Sequence, residues 1–209
     1  MILTPDKNPN EHLSNMAEQT ATIGLIMNSN KTPEMIVSRI KCDENILKIE
    51  EIERKDEIKY LGILINCNFK MSDNCKKIIQ YSNKILFLLN RLRRIGMDEE
   101  GSQLLFNALI ISKITYGIEF WWAILSKSEK LNLQNIISKA HRRGLSGNLN
   151  LEQIAHGRIR KLYNKVVNTP NHILRKFLLG EGRRHRPIVP YLRTTFEQKA
   201  FFNYICFPS

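Results

Sequence analysis

Four cysteines, five histidines and twenty carboxylates are the side chains of this 209-residue chain most suited to metal, nucleophilic or acid-base chemistry. Their spacing supports little of it. Cys42, Cys67, Cys75 and Cys206 show no Cys-x-x-Cys pattern and no nearby pair of histidines, so neither a zinc site nor a disulfide framework follows. The runs Glu50, Glu51, Glu53 and Asp98, Glu99, Glu100 have the donor type of a nuclease centre. No histidine or lysine stands at a useful distance from them, and a turn or helix start accounts for both. Ser146 lies in Gly-Leu-Ser-Gly, which is not the Gly-x-Ser-x-Gly turn that exposes a nucleophilic serine.

The cations are organised. Of the formal net charge of +12, residues 1–140 contribute 19 Lys/Arg against 17 Asp/Glu, and residues 141–209 contribute 13 against 3. Clustered cations gain by displacing counterions from phosphates, which favours a polyanionic partner over the plain alternative of a solvated basic tail. Lys77, Lys84, Arg91 and Arg94 recur at sevens and threes, a spacing that places them on one stripe of a helix. Such a stripe suits a duplex backbone, and a solvated charged face looks the same. Arg142 and Arg143, then Arg158, Arg160 and Lys161, then Arg183, Arg184 and Arg186 form three further clusters, with His141, Tyr163 and His185 interleaved. Cations beside rings suit single strands, where bases stack and phosphates pair, and binding of this kind tolerates any sequence and falls steeply with salt.

These groups need elements to hold them. Residues 11–22 read as a short helix ended near Gly24, and residues 35–37, 46–49 and 58–65 read as short strands of a small antiparallel sheet. From Ser72 the period changes: Ile78, Ser82, Ile85, Leu89 and Leu92 predict a helix over about 73–95. A second helix follows from Leu104, Ala108, Ile111, Ile114, Ile118 and Leu125, with Gly96 ending the first and Asp98 capping the second. Trp121 and Trp122 lie on its apolar side and read as core. Ser126 or Ser128 starts a third helix closed by Gly144 and Gly147, and another runs over 151–167 until Pro170. A short helix over 171–179, an exposed loop after Gly180 and an apolar segment over 196–207 complete the chain. Asn107, Lys113 and Glu119 interrupt the most apolar stretch, 104–125, so no membrane span is expected. The scattered thiols and the lack of a signal peptide point to an intracellular setting, cytoplasmic or nuclear.

Three ordered blocks resemble the downstream half of a LINE-type (non-LTR retrotransposon) reverse transcriptase. Gly24, Leu25, Asn28, Lys31 and Thr32 match that family's palm segment Gly-Leu-x-x-Asn-x-x-Lys-Thr; Tyr60, Leu61, Gly62 and Ile65 match its primer-grip hairpin; Tyr116, Gly117 and Trp121 match a helix that follows the thumb. The segment 189–207 is similar to the family's Phe-rich C-terminal stretch. Cys75 stands where many relatives have histidine. The resemblance implies template-primer contact through Gly24, Asn28, Lys31, Tyr60, Leu61 and Gly62, with Lys31 a possible proton donor to the pyrophosphate leaving group. It also implies two Mg²⁺ ions in the intact polymerase, held by an early palm aspartate and a Tyr/Phe-Ala-Asp-Asp turn. Neither motif is present, and Met1 falls within a residue or two after the position of the pair.

The expectation is therefore an α+β chain with a partial palm over 1–70, a helical thumb-like region over 71–147 and a basic helical extension over 148–209. It binds RNA and DNA without a cofactor and without polymerase activity of its own. The rival expectation is a self-sufficient, non-catalytic helical module that coats nucleic acid.

Overall fold

The computed structural model describes residues 9–37, 49 and 52–175. The chain divides into two compact units, residues 1–70 and residues 71–209, each built on its own core. Two paired strands and a majority of helix make it an α+β chain. The expected strand residues 46–48, the chain after residue 175 and the cluster Arg183, Arg184 and Arg186 lie outside the described residues.

In the first unit, helix α1 (Pro9–Thr22) stops at Gly24, whose φ of +76° is open to glycine at no steric cost. The Leu25 N–H donates to the Thr20 carbonyl and the Gly24 N–H to that of Ala21, the paired bonds of a Schellman stop. The expected strand at 35–37 does not form. Its neighbourhood holds one isolated parallel bridge, between Glu34 and Arg54, and Pro33 removes a donor that a longer ladder would need. The 58–65 segment is a hairpin: β1 (Glu57–Tyr60) pairs antiparallel with β2 (Ile63–Asn66), with Tyr60 opposite Ile63 and Ile58 opposite Ile65. Leu61 (φ +46°) and Gly62 (φ +85°) form the two-residue turn, and positive φ at both positions gives the twist that two antiparallel strands require.

The second unit begins with α2 (Ser72–Arg94), which buries Cys75, Ile78, Ser82, Leu86 and Leu89 along one face. The Met97 N–H bonds back to the Leu92 carbonyl around Gly96, and the Asp98 carboxylate accepts from the Gly101 N–H to start α3 (Glu99–Phe106). The single helix expected over the next stretch is instead broken. A five-residue π segment (Asn107–Ile111) leads into α4 (Ser112–Thr115), and Gly117 at φ +58° separates it from α5 (Ile118–Trp121) and a 3-10 turn (Trp122–Ile124). The bend is 41°.

The π segment also moves the buried face. Ser102, Phe106, Ile110, Ile114 and Ile118 are buried at four-residue intervals, whereas Leu104 and Ala108 of the expected stripe are exposed. A regular α-helix rotates a four-residue stripe by about 40° per step, and the wider π turn rotates it back. The Trp121 indole N–H donates to the Tyr116 carbonyl at 3.0 Å, and Trp121 and Trp122 pack edge to face at 6.3 Å, both buried. Among the described residues no single helix is long and apolar enough to cross a membrane.

Ser126, rather than Ser128, caps α6 (Lys127–Arg142) through a reciprocal box with Glu129, and Gly144 closes it with bonds from Gly144 to His141 and from Leu145 to Ala140. Asn150 caps α7 (Leu151–Asn168), which packs on α5 and α6. Phe106, Ile110, Trp121, Leu133, Ile137, Leu151 and Ala155 form the heart of this core.

Candidate nucleic-acid interface

The motif residues of the first unit fall on two short, exposed backbone features. After the Schellman stop at Gly24 the chain runs without regular structure to Asn28, which is extended, then makes one 3-10 turn (Ser29–Lys31). The Asn28 carbonyl accepts from the Lys31 N–H at 3.0 Å and from the Thr32 hydroxyl at 2.8 Å, so Asn28, Lys31 and Thr32 form one knot. Lys31 and Asn28 are exposed. At the hairpin tip Tyr60, Leu61 and Gly62 are likewise exposed, and Leu61 holds a backbone conformation that costs a non-glycine residue about 1–2 kcal/mol.

Helix α2 presents the cationic stripe. At about 100° per residue, Lys77, Lys84 and Arg91 fall within about 40° of one another, with Arg94 about 60° further round. All four are exposed and stand opposite the buried Cys75–Leu89 face. The same outer face carries Tyr81, Leu88 and Ile95, three apolar groups that the charge pattern alone did not single out. Their spacing from Lys77, Lys84 and Arg91, four residues in each case, is the sequence signal for them.

Tertiary packing sets two sequence clusters at the same end of one helix pair. At one end of the α2/α6 pair, Glu129 of α6 is hydrogen-bonded by the Ser72 hydroxyl at the start of α2. At the other end, the Arg93 guanidinium donates to the Gly144 carbonyl at 3.1 Å. The two helices therefore run side by side in the same direction, and their C-terminal turns share an end. Arg91 and Arg94 of α2 join Lys139, His141, Arg142 and Arg143 there. The two helix dipoles place partial negative charge at that end and favour the cations, which remain exposed to a further anion. Two groups there are already engaged: Arg93, on the core side of α2, donates to Gly144 and Ser102, and the His141 Nδ1 lies 3.1 Å from the Ser146 carbonyl.

The cluster read as Arg158, Arg160 and Lys161 does not form one surface. The Arg158 guanidinium donates to the Thr115 carbonyl at 3.0 Å and lies 3.9 Å from the Glu119 carboxylate, so it pins the end of α4, while Arg160 points about 160° away around α7.

The paired helix starts carry the two shifted groups. Burial opposes ionisation of Glu129, but hydrogen bonds from the Ser126 and Ser72 hydroxyls and the Ser126 backbone, with the Lys76 charge, outweigh it and hold the carboxyl below the ordinary glutamate range. Burial pushes the Cys75 thiol up to about 12, with the Glu129 charge adding to the effect. Among the described residues no three His, Cys, Asp or Glu side chains gather, and Glu34 and Glu53 are ion-paired to Arg54 and Lys55. These donors do not fit a two-Mg²⁺ centre. No protein-family model, curated protein or solved structure matches this chain.

Proposed function

We propose that the chain is the primer-grip and thumb portion of a LINE-type, non-LTR retrotransposon reverse transcriptase, and that it contacts an RNA–DNA template-primer without chemistry of its own. The observation that carries the nucleic-acid part is the placement of Arg91 and Arg94 at the same end of the α2/α6 pair as Arg142 and Arg143. Lys77, Lys84, Arg91 and Arg94 form a cationic track down the outer face of α2, a helix about 34 Å long. Tyr81 and Leu88 between the cations suit the wide, shallow minor groove of an A-form duplex. The lineage rests on the three ordered motifs, each of which includes a residue of positive φ: Gly24 at the helix stop, Leu61 and Gly62 in the turn, and Gly117 at the break. Lys31, a member of that first motif, is exposed, and among the described residues no three His, Cys, Asp or Glu side chains gather to hold the metal that its acid role would need.

Fluorescence anisotropy of the full chain with a labelled RNA–DNA hybrid tests the binding. Replacing Arg91, Arg94, Arg142 and Arg143 with glutamine is expected to weaken it at least tenfold and to lower the log–log salt slope by about 3 to 4 units. Unchanged affinity and slope would remove the assignment. Lineage is tested on the coding DNA, where Tyr/Phe-Ala-Asp-Asp is expected upstream of the Met1 codon in some frame. One observation favours a self-standing binding module instead: the second unit encloses its own core from Met71 to Val166. Stable, salt-sensitive binding with no polymerase motif upstream would select that reading.

A further inference from the structure

The broken helix and α7 carry cations and a ring that the α2 track does not use. On α7, Arg158, Lys161 and Lys165 recur at threes and fours and share one stripe, about 60° wide. The single carboxylate of that helix, Glu152, lies well outside it. The stripe starts at the helix break, because Arg158 bonds the Thr115 carbonyl. The next residue is Tyr116, which is 51% exposed although its carbonyl is tied down by Trp121. Gly117 in the left-handed region turns the chain immediately after it, so the ring sits on a rigid corner of the fold. Lys161 and Lys165 lie about 4.5 and 10.5 Å along α7 from Arg158.

From this placement we propose that the corner at Tyr116 and the Arg158–Lys161–Lys165 stripe form a second nucleic-acid surface, selective for single strands. Tyr116 stacks an unpaired base, and Lys161 and Lys165 pair the phosphates that follow it. Arg158 is a positioning residue that holds the corner to α7, its charge partly met by Glu119 at 3.9 Å. The chemistry favours a single strand because a base can reach a side-chain ring only when it is unstacked from its neighbours. The α2 track, long and lacking a backbone corner, follows a duplex. A single-stranded overhang and the duplex behind it thus have separate surfaces in the second unit. This inference rests on the chain binding nucleic acid at all, and the assay below separates the two failures.

The full-length chain is titrated against a labelled 12-nucleotide oligo-U and a 12-base-pair RNA–DNA hybrid. K161Q/K165Q is expected to weaken oligo-U binding about tenfold and to lower its salt slope by about 1.4 units, with hybrid affinity held within twofold. Tyr116→Ala is expected to cost oligo-U binding about tenfold, and Tyr116→Phe to retain it, since phenylalanine keeps the ring. The Trp121 bond goes to the Tyr116 backbone, so neither change removes it, and melting temperature checks the fold. Unchanged oligo-U affinity in both K161Q/K165Q and Tyr116→Ala, with hybrid binding intact, overturns the second surface alone. Equal losses on both ligands overturn its selectivity. Binding of neither ligand by the unaltered chain overturns the parent reading as well.

Discussion

Arg93 and Gly144, 51 residues apart in sequence, are joined by a 3.1 Å hydrogen bond from guanidinium to carbonyl that closes the C-terminal ends of α2 and α6 together. The acceptor belongs to the glycine that ends α6, and the same guanidinium nitrogen lies 3.4 Å from the Ser102 hydroxyl. A charged donor thus ties three elements. Arg93→Ala is expected to destabilise the second unit by about 1.5–3 kcal/mol, in the range for a hydrogen bond to a charged group. Arg94→Ala, one residue on and exposed, is expected to stay within about 0.5 kcal/mol while weakening binding to the hybrid. Urea unfolding and anisotropy read the two effects, and equal stability losses would contradict the division.

At the opposite end the Glu129 carboxylate joins Ser72 to Ser126. Its pKa is lowered on folding, so its contribution is fully present above the unfolded glutamate value and is lost as pH falls through the lowered one. The stability gap between the natural chain and Glu129→Gln is therefore expected to be constant from about pH 6 to 7 and to close as pH falls below the ordinary glutamate range. Thermal melts across that range measure it. A gap that widens with acid would reverse the sign of the assignment.

The thiols should divide sharply. Cys75 is buried with its pKa raised to about 12, whereas Cys67 is partly exposed. Iodoacetamide at pH 8 is expected to alkylate Cys67 in the folded chain and Cys75 only after unfolding, because the thiolate is the reactive form. Peptide mass mapping distinguishes them, and early modification of Cys75 would show that the start of α2 opens.

The hairpin tip stores removable strain. Leu61 at φ +46° occupies a turn position that asparagine fills readily, so Leu61→Asn is expected to stabilise the β1–β2 hairpin by about 0.5–1 kcal/mol. Gly62→Ala at φ +85° is expected to destabilise it by about 1 kcal/mol. Hydrogen exchange at the backbone amides of β1 and β2 reports both. Should Leu61→Asn stabilise the hairpin and weaken hybrid binding, Leu61 is held in strain for contact.

Much of the scaffold is local chemistry, and the sequence alone determined it. Gly24, Gly96 and Gly144 end helices because each adopts a positive φ, and Asp98, Ser126 and Asn150 start them because short polar side chains meet free backbone N–H groups. The stripe of Lys77, Lys84, Arg91 and Arg94 needed only the helical period. Three features needed tertiary structure. The π segment shifted the buried face from Leu104 and Ala108 to Phe106 and Ile110, since packing against neighbouring helices selected which apolar residues turned inward. The anchoring of Arg158 depended on a carbonyl freed by the break at Tyr116 and Gly117. The placement of Arg91 and Arg94 at the same end as Arg142 and Arg143 depended on two helices, separated by three others in sequence, lying side by side in the same direction. Periodicity fixes which face of a helix is buried; only the packed core decides which other helix that face meets.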